Sequence, residues 1–123
     1  MFYRIYNKYS NEYLPQDKWL IRGDGKIVDL LSSKGEVIHD PRDFIVEAWT
    51  GYFDDAGRKV YCGDILEQYS FYDFKSRVIW ENGAFFMVPI DPEGLKNTMG
   101  KEGILKGWNV TGNVNGVEYS AEN

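Results

Sequence analysis

At 123 residues the chain has room for one ordinary domain or two small lobes. Its content of 43% hydrophobic and 16% aromatic residues supplies enough apolar surface to offset the entropy of ordering, which excludes a disordered chain. A net charge of −5 gives no general attraction to phosphate backbones or anionic membranes, and the single Cys62 and single His39 exclude an internal disulfide and a four-ligand Cys/His zinc site within one chain.

The opening Met1-Phe2-Tyr3-Arg4-Ile5-Tyr6-Asn7-Lys8 lacks the long apolar centre of a secretory signal, and Phe2–Tyr6 reads as a first strand. No apolar run approaches the roughly 20 residues needed to cross a bilayer, so no membrane association and a cytoplasmic address are expected. Lys18–Arg22 and Lys26–Leu30 flank Asp24-Gly25 and read as a hairpin. Gly23-Asp24-Gly25-Lys26 has the look of a phosphate-cradling loop, but it lacks both the Walker pattern and a following helix. His39, before Asp40-Pro41, reads as a polar turn residue, and Pro41-Arg42-Asp43-Phe44 as a helical turn.

A further reversal, Asp54-Asp55-Ala56-Gly57, separates Glu47–Tyr52 from Arg58–Tyr61, and Asp64–Tyr69 reads as the next strand. The strongest turn signal is Asn82-Gly83. Tight two-residue turns need positive φ at both central positions, and the flanking Arg77–Glu81 and Ala84–Val88 are rich in β-branched and aromatic residues. Asp91-Pro92-Glu93 has the form of a helix start, but Gly94 and Gly100 limit it to a helical turn. Trp108–Thr111 is a further strand, and Asn115-Gly116 would close a last short hairpin. These readings together predict a single domain over 1–123 that is mainly β. Antiparallel hairpins fill an N-terminal lobe over about 1–47, an SH3-like small β-barrel fills a lobe over about 48–117, and at most one or two short helical turns are present.

The stretch from Thr50 to Ile65 reads Thr-Gly-Tyr-Phe-Asp-Asp-Ala-Gly-Arg-Lys-Val-Tyr-Cys-Gly-Asp-Ile. This resembles the signature of the YopX family, small proteins found mainly in phages and prophages of Gram-positive bacteria. The resemblance rests on Thr50, Gly51, Asp54, Gly57, Tyr61, Gly63, Asp64 and Ile65. It extends to the aromatic and basic opening, to Arg77-Val78-Ile79-Trp80 before Phe85, and to Val110-Thr111-Gly112-Asn113-Val114. Position 62 is Cys where an acidic residue is common, and Gly116-Val117-Glu118-Tyr119 departs from the family's usual ending. The resemblance implies a mostly β fold, a phage or prophage origin and a non-essential accessory role, and it brings no catalytic residues with it.

Turn chemistry accounts for most of the motif. Gly51 allows a bend or a close backbone approach, Asp54 to Gly57 supply side-chain-to-backbone hydrogen bonds and one left-handed position, and Gly63-Asp64 breaks the strand direction. Val60 and Ile65 are expected to face the core. The competing reading gathers Asp54, Asp55, Asp64 and Glu67 as a cation or acid/base cluster, but the spacing matches no calcium loop. Cys62 and His39 lack an orienting third group for nucleophilic catalysis, and Cys62 reads as a small core hydrophobe. No catalytic residue, metal ligand or cofactor site is assigned.

One segment points outward. Tyr69, Phe71, Tyr72 and Phe74, together with Lys75 and Arg77, place four aromatics and two cations around the connection before the Asn82-Gly83 hairpin. That composition suits a stacking or proline-recognition surface, unless the rings alternate into the core. The expected function is therefore a non-enzymatic interaction module that binds a protein partner or a second copy of itself. A protein that stacks single-stranded nucleic acid is the alternative, disfavoured by the acidic balance. A hydrolase built on the Asp cluster ranks third.

Overall fold

A computed structural model of the chain describes residues 3–15, 18–24, 26–29, 37–39, 41–68, 74–90, 97–99 and 103–116. The chain divides into two compact units, Phe2–Glu47 and Ala48–Asn123. Among the described residues the only helical element is a 3₁₀ turn over Pro41–Asp43. The chain is mainly β, as its alternating patterns predict.

In the Phe2–Glu47 unit, β1 (Tyr3–Asn7) pairs antiparallel with β2 (Glu12–Tyr13) in the register Tyr6 to Tyr13. The reversal between them is built by asparagines. Asn11 adopts φ 57°, and the Asn7 side-chain oxygen accepts the Tyr9 amide. A second sheet is the antiparallel meander β3 (Trp19–Ile21), β4 (Ile27–Asp29) and β5 (Val37–His39). The Asp24 carboxylate accepts the Lys26 amide at the first turn, as expected for that hairpin; Gly25 lies outside the described residues. Ile5, Ile27 and Phe44 form the core of this unit, with Leu14 and Trp19 packed against it.

Strand β6 (Phe44–Asp54) begins in this unit and supplies the first strand of the next. There it pairs antiparallel with β7 (Lys59–Tyr61) and parallel with the short β12 (Ile104–Leu105). The second sheet of the Ala48–Asn123 unit has the order β11 (Asn97–Thr98), β10 (Ala84–Pro89), β9 (Phe74–Glu81), β8 (Asp64–Gln68) and β13 (Trp108–Asn113). Asn82 and Gly83 take φ of 51° and 83°, the mirror-image turn that matches strand twist, and β9 pairs with β10 in full register from Glu81–Ala84 to Ser76–Pro89.

Both sheets of this unit contribute to one core. Val60 comes from β7 and Leu105 from β12, and they meet Leu66, Val78, Met87 and Val110 from the five-stranded sheet. Among the described residues the hydrogen-bonded strand order ends at β11 and at β13, so the sheets are not closed into a barrel. The segment around Asp91-Pro92-Glu93 and the return strand after Asn115-Gly116 lie outside the described residues.

Candidate functional site

The Thr50–Ile65 motif is spent on its own backbone. The Thr50 hydroxyl donates to the Val60 carbonyl at 2.7 Å and accepts the Tyr52 amide at 3.1 Å, tying β6 to β7. Gly51 bends the strand at φ 87°, in open space, so it serves as a hinge in direction and not as a close approach. Asp54 is 1% exposed. Its Oδ1 accepts the amides of Ala56 at 3.0 Å and Arg58 at 2.7 Å, which shapes the turn that Gly57 completes at φ 88°.

The other oxygen of Asp54 reaches a different sheet. Oδ2 accepts the Val110 amide of β13 at 3.0 Å, while the Arg58 guanidinium donates to the Val110 carbonyl at 3.2 Å. The Asp55 amide donates to the Trp108 carbonyl at 2.9 Å. The β6–β7 turn thus occupies backbone groups along β13, on an edge that would otherwise be open to pairing with other chains.

Gly63, at φ 93°, redirects the chain from β7 in one sheet to β8 in the other. Its amide donates to the Val78 carbonyl and its carbonyl accepts the Val114 amide. Asp64 is fully buried, and its Oδ2 accepts the Tyr61 amide at 2.8 Å. Val60 is buried as expected, and Tyr61 is buried beside it, but Ile65 is not a core residue. In β8 the inward positions are Asp64 and Leu66, and the two-residue period sends Ile65 to the opposite face.

The proposed acid cluster does not assemble as a ligand set. Asp54 and Asp64 turn inward onto amides, Asp55 is exposed and Glu67 half-buried. Among the described residues no group of three or more His, Cys, Asp or Glu side chains lies together as a metal site would need. Cys62 is half-buried, with its Sγ 3.8 Å from the Val78 carbonyl, and His39 belongs to β5 of the Phe2–Glu47 unit.

Of the outward-pointing segment, Tyr69, Phe71 and Tyr72 lie outside the described residues. Phe74, Lys75 and Arg77 lie on strand β9 itself, and all three are exposed. They do not share a face. Phe74 falls in step with the buried Ser76 and Val78, whereas Lys75 and Arg77 point to the outer side of the sheet. There Arg77 pairs in register with Ile65 of β8 and Val88 of β10, and Lys75 pairs with Glu67.

That outer face carries a cleft of about 250 Å³, lined by Ile65, Lys75, Ile90, Thr111, Gly112 and Asn113 among others. A bulge in β13 between Val110 and Gly112 shifts its pairing with β8 at the cleft wall. Sequence reading reaches Lys75 and misses the rest, because the cleft draws on β8, β9, β13 and the residue after β10, which no local pattern connects. It also misses Trp80, which is 55% exposed and stacked edge-on against Phe85 at 4.6 Å beside the Asn82-Gly83 turn.

A second polar cluster lies within the Phe2–Glu47 unit. The Arg4 Nε donates to Glu47 Oε1 at 2.9 Å, the Tyr13 hydroxyl donates to the same oxygen at 2.7 Å, and the Arg4 guanidinium lies 4.6 Å from the Tyr13 ring centre. The side chains of Arg4 and Glu47 are buried to within 8% and 6%. This pair locks β1 to the start of β6 and has no sequence signal beyond a charge inside an aromatic strand.

The family model for YopX protein matches residues 2–116. The chain belongs to the YopX family. The crystal structure of protein EF1440 from Enterococcus faecalis is similar in fold, with a TM-score of 0.64 and 21% sequence identity over 93% of this chain and 92% of that one. No curated protein matches. Among the described residues no helix is long and apolar enough to cross a membrane.

Proposed function

We propose that this member of the YopX family is a non-enzymatic interaction module of phage or prophage origin, working in the cytoplasm of the bacterial host. Its partner is a protein, a second copy of the chain included. The observation that supports this is the division of labour within the Ala48–Asn123 unit. The motif acids Asp54 and Asp64 are buried on backbone amides and face no opening. What the scaffold leaves to solvent is an aromatic and cationic strand, with Phe74, Lys75, Arg77 and Trp80 exposed along β9. In this reading the unit is an SH3-like scaffold whose sheets stop short of closing, and β9 is its working strand.

Affinity purification of the tagged protein from lysogenic or infected cells, beside an Arg77→Glu, Phe74→Ser variant of equal stability, tests the proposal. A co-purifying protein that the variant loses supports it. A variant that retains every partner, with light scattering of the unmodified chain giving a monomer at high concentration, contradicts it.

A second reading draws on the exposed Trp80, edge-on to Phe85, a ring that suits stacking of single-stranded bases. It requires binding that weakens steeply with salt, against a net charge of −5. An electrophoretic shift at low salt decides it, and an unshifted band removes it. A hydrolase built on Asp54, Asp55, Asp64 and Glu67 draws no support from their placement; turnover of a generic phosphoester would revive it.

A further inference from the structure

We infer that the cleft on the outer face of the five-stranded sheet binds an extended acidic segment of a protein partner, taking one carboxylate on Lys75 and the neighbouring aliphatic side chain between Ile65 and Ile90. This deepens the interaction reading above and rests on it.

The cleft combines two chemistries. Ile65 and Ile90 give it aliphatic walls, and Ile90 is 40% exposed there. Lys75 supplies a cation that no ion pair among the described residues engages. Thr111 adds a polar residue along the β13 side. Gly112, set by the bulge, keeps the floor free of a side chain.

Size and spacing select the ligand. A volume of about 250 Å³ falls below the roughly 300–1,000 Å³ of pockets that enclose whole small molecules, so the cleft suits one or two side chains of a longer chain. Because Ile65 stands opposite Arg77 and Glu67 opposite Lys75, Ile65 and Lys75 are diagonal neighbours, about 7–8 Å apart. An extended peptide places side chains two residues apart on the same side at about 7 Å. A segment of the form Leu-x-Glu therefore presents its aliphatic group and its carboxylate at the matching separation.

Charge sets the direction. Against the net −5 of the chain, Lys75 and Arg77 make this face locally cationic, and Glu67, in register with Lys75, offsets only part of that charge. An incoming carboxylate meets two cations and one carboxylate that weakens its binding, whereas a cationic segment would find only Glu67 beside two cations. Arg77, in the adjacent row, reinforces the preference for an acid.

The test is a titration of the full chain, labelled with ¹⁵N, by acetyl-Leu-Thr-Glu-amide and by acetyl-Leu-Thr-Gln-amide, read as amide shifts. The acidic peptide should move the amides of Ile65, Lys75, Ile90 and Thr111 to Asn113. The glutamine peptide should bind about threefold to tenfold more weakly, as should the acidic peptide to Lys75→Ala. Lys75→Arg should bind as the unmodified chain does, and Glu67→Gln should bind more tightly. Absent or scattered shifts, or equal affinity for both peptides, overturn the assignment. If the peptides fail while a protein partner is still captured by the unmodified chain and lost by the Arg77→Glu, Phe74→Ser variant, the cleft is not the site and the module reading survives. If the peptides bind and no partner is captured, the cleft stands and the module reading falls.

Discussion

The Oδ2 of Asp54 accepts the backbone amide of Val110 at 3.0 Å, joining positions 56 residues apart in the chain. Through this contact one turn of the family motif, at the end of β6, fixes the edge strand β13 of the other sheet in the same unit. Three amides converge on a single buried carboxylate, and each such charge-assisted bond is worth about 1.5–3 kcal/mol. An acid held in this way organises structure. It has no free oxygen facing solvent with which to bind a cation or take a proton from a substrate.

Asp54→Ala should therefore cost about 3–4 kcal/mol of unfolding free energy, since it strands the buried Val110 amide and two part-buried amides at once. Asp55→Ala, one residue on and exposed, should stay within about 0.5 kcal/mol. Chemical denaturation of the two variants measures both values.

Gly63→Ala should destabilise by about 1–2 kcal/mol, because φ of 93° is a conformation that a Cβ disfavours and because the residue carries the chain between sheets. Gly23→Ala offers the contrast. Its backbone is not in the left-handed region and a Cβ there meets nothing within 4 Å, so the change should be neutral within about 0.5 kcal/mol. Thermal unfolding midpoints distinguish the pair.

In the Phe2–Glu47 unit, Glu47→Gln should cost about 3–5 kcal/mol by leaving the Arg4 guanidinium buried without its countercharge. Replacing both residues by apolar ones of similar size, Arg4→Met with Glu47→Leu, should cost less than the sum of the two single changes, since no orphaned charge remains. A double-mutant cycle in denaturant yields the coupling directly. Additive costs would show that the two groups are satisfied independently.

Lys75→Glu and Arg77→Glu should each leave stability within about 0.5 kcal/mol, being exposed on the outer face of β9. Their effect should fall on partner binding. A fall in unfolding midpoint comparable to that of Asp54→Ala would mean that these cations serve the fold.

How far the sequence carried depends on the distance over which each feature is encoded. The Asn82-Gly83 hairpin was legible because its turn chemistry and its flanking strands are contiguous, and the full β9–β10 register follows from a two-residue turn. The scaffolding character of Asp54, Gly57 and Gly63 was legible for the same reason. Ile65 was misread because Gly63 turns the chain and resets which parity faces inward, so that Leu66 takes the core position. The parallel pairing of Ile104 with Phe53 links a two-residue strand to a distant one and left no pattern to read. The cleft was illegible as a unit, with Lys75 seen as part of a connection when it belongs to a strand. The Val110 partner of Asp54 was invisible, because an amide has no sequence signature.

The central claim is that Asp54 is a structural staple between the β6–β7 turn and β13. Amide hydrogen exchange at Val110, compared between the unmodified chain and Asp54→Ala under native conditions, tests it most directly. Val110 should be among the slowest-exchanging amides in the unmodified chain, and the substitution should lower its protection far more than that of Met87, which lies in the same core on β10. Equal protection of Val110 in both proteins would contradict the staple and return Asp54 to the list of groups available for chemistry.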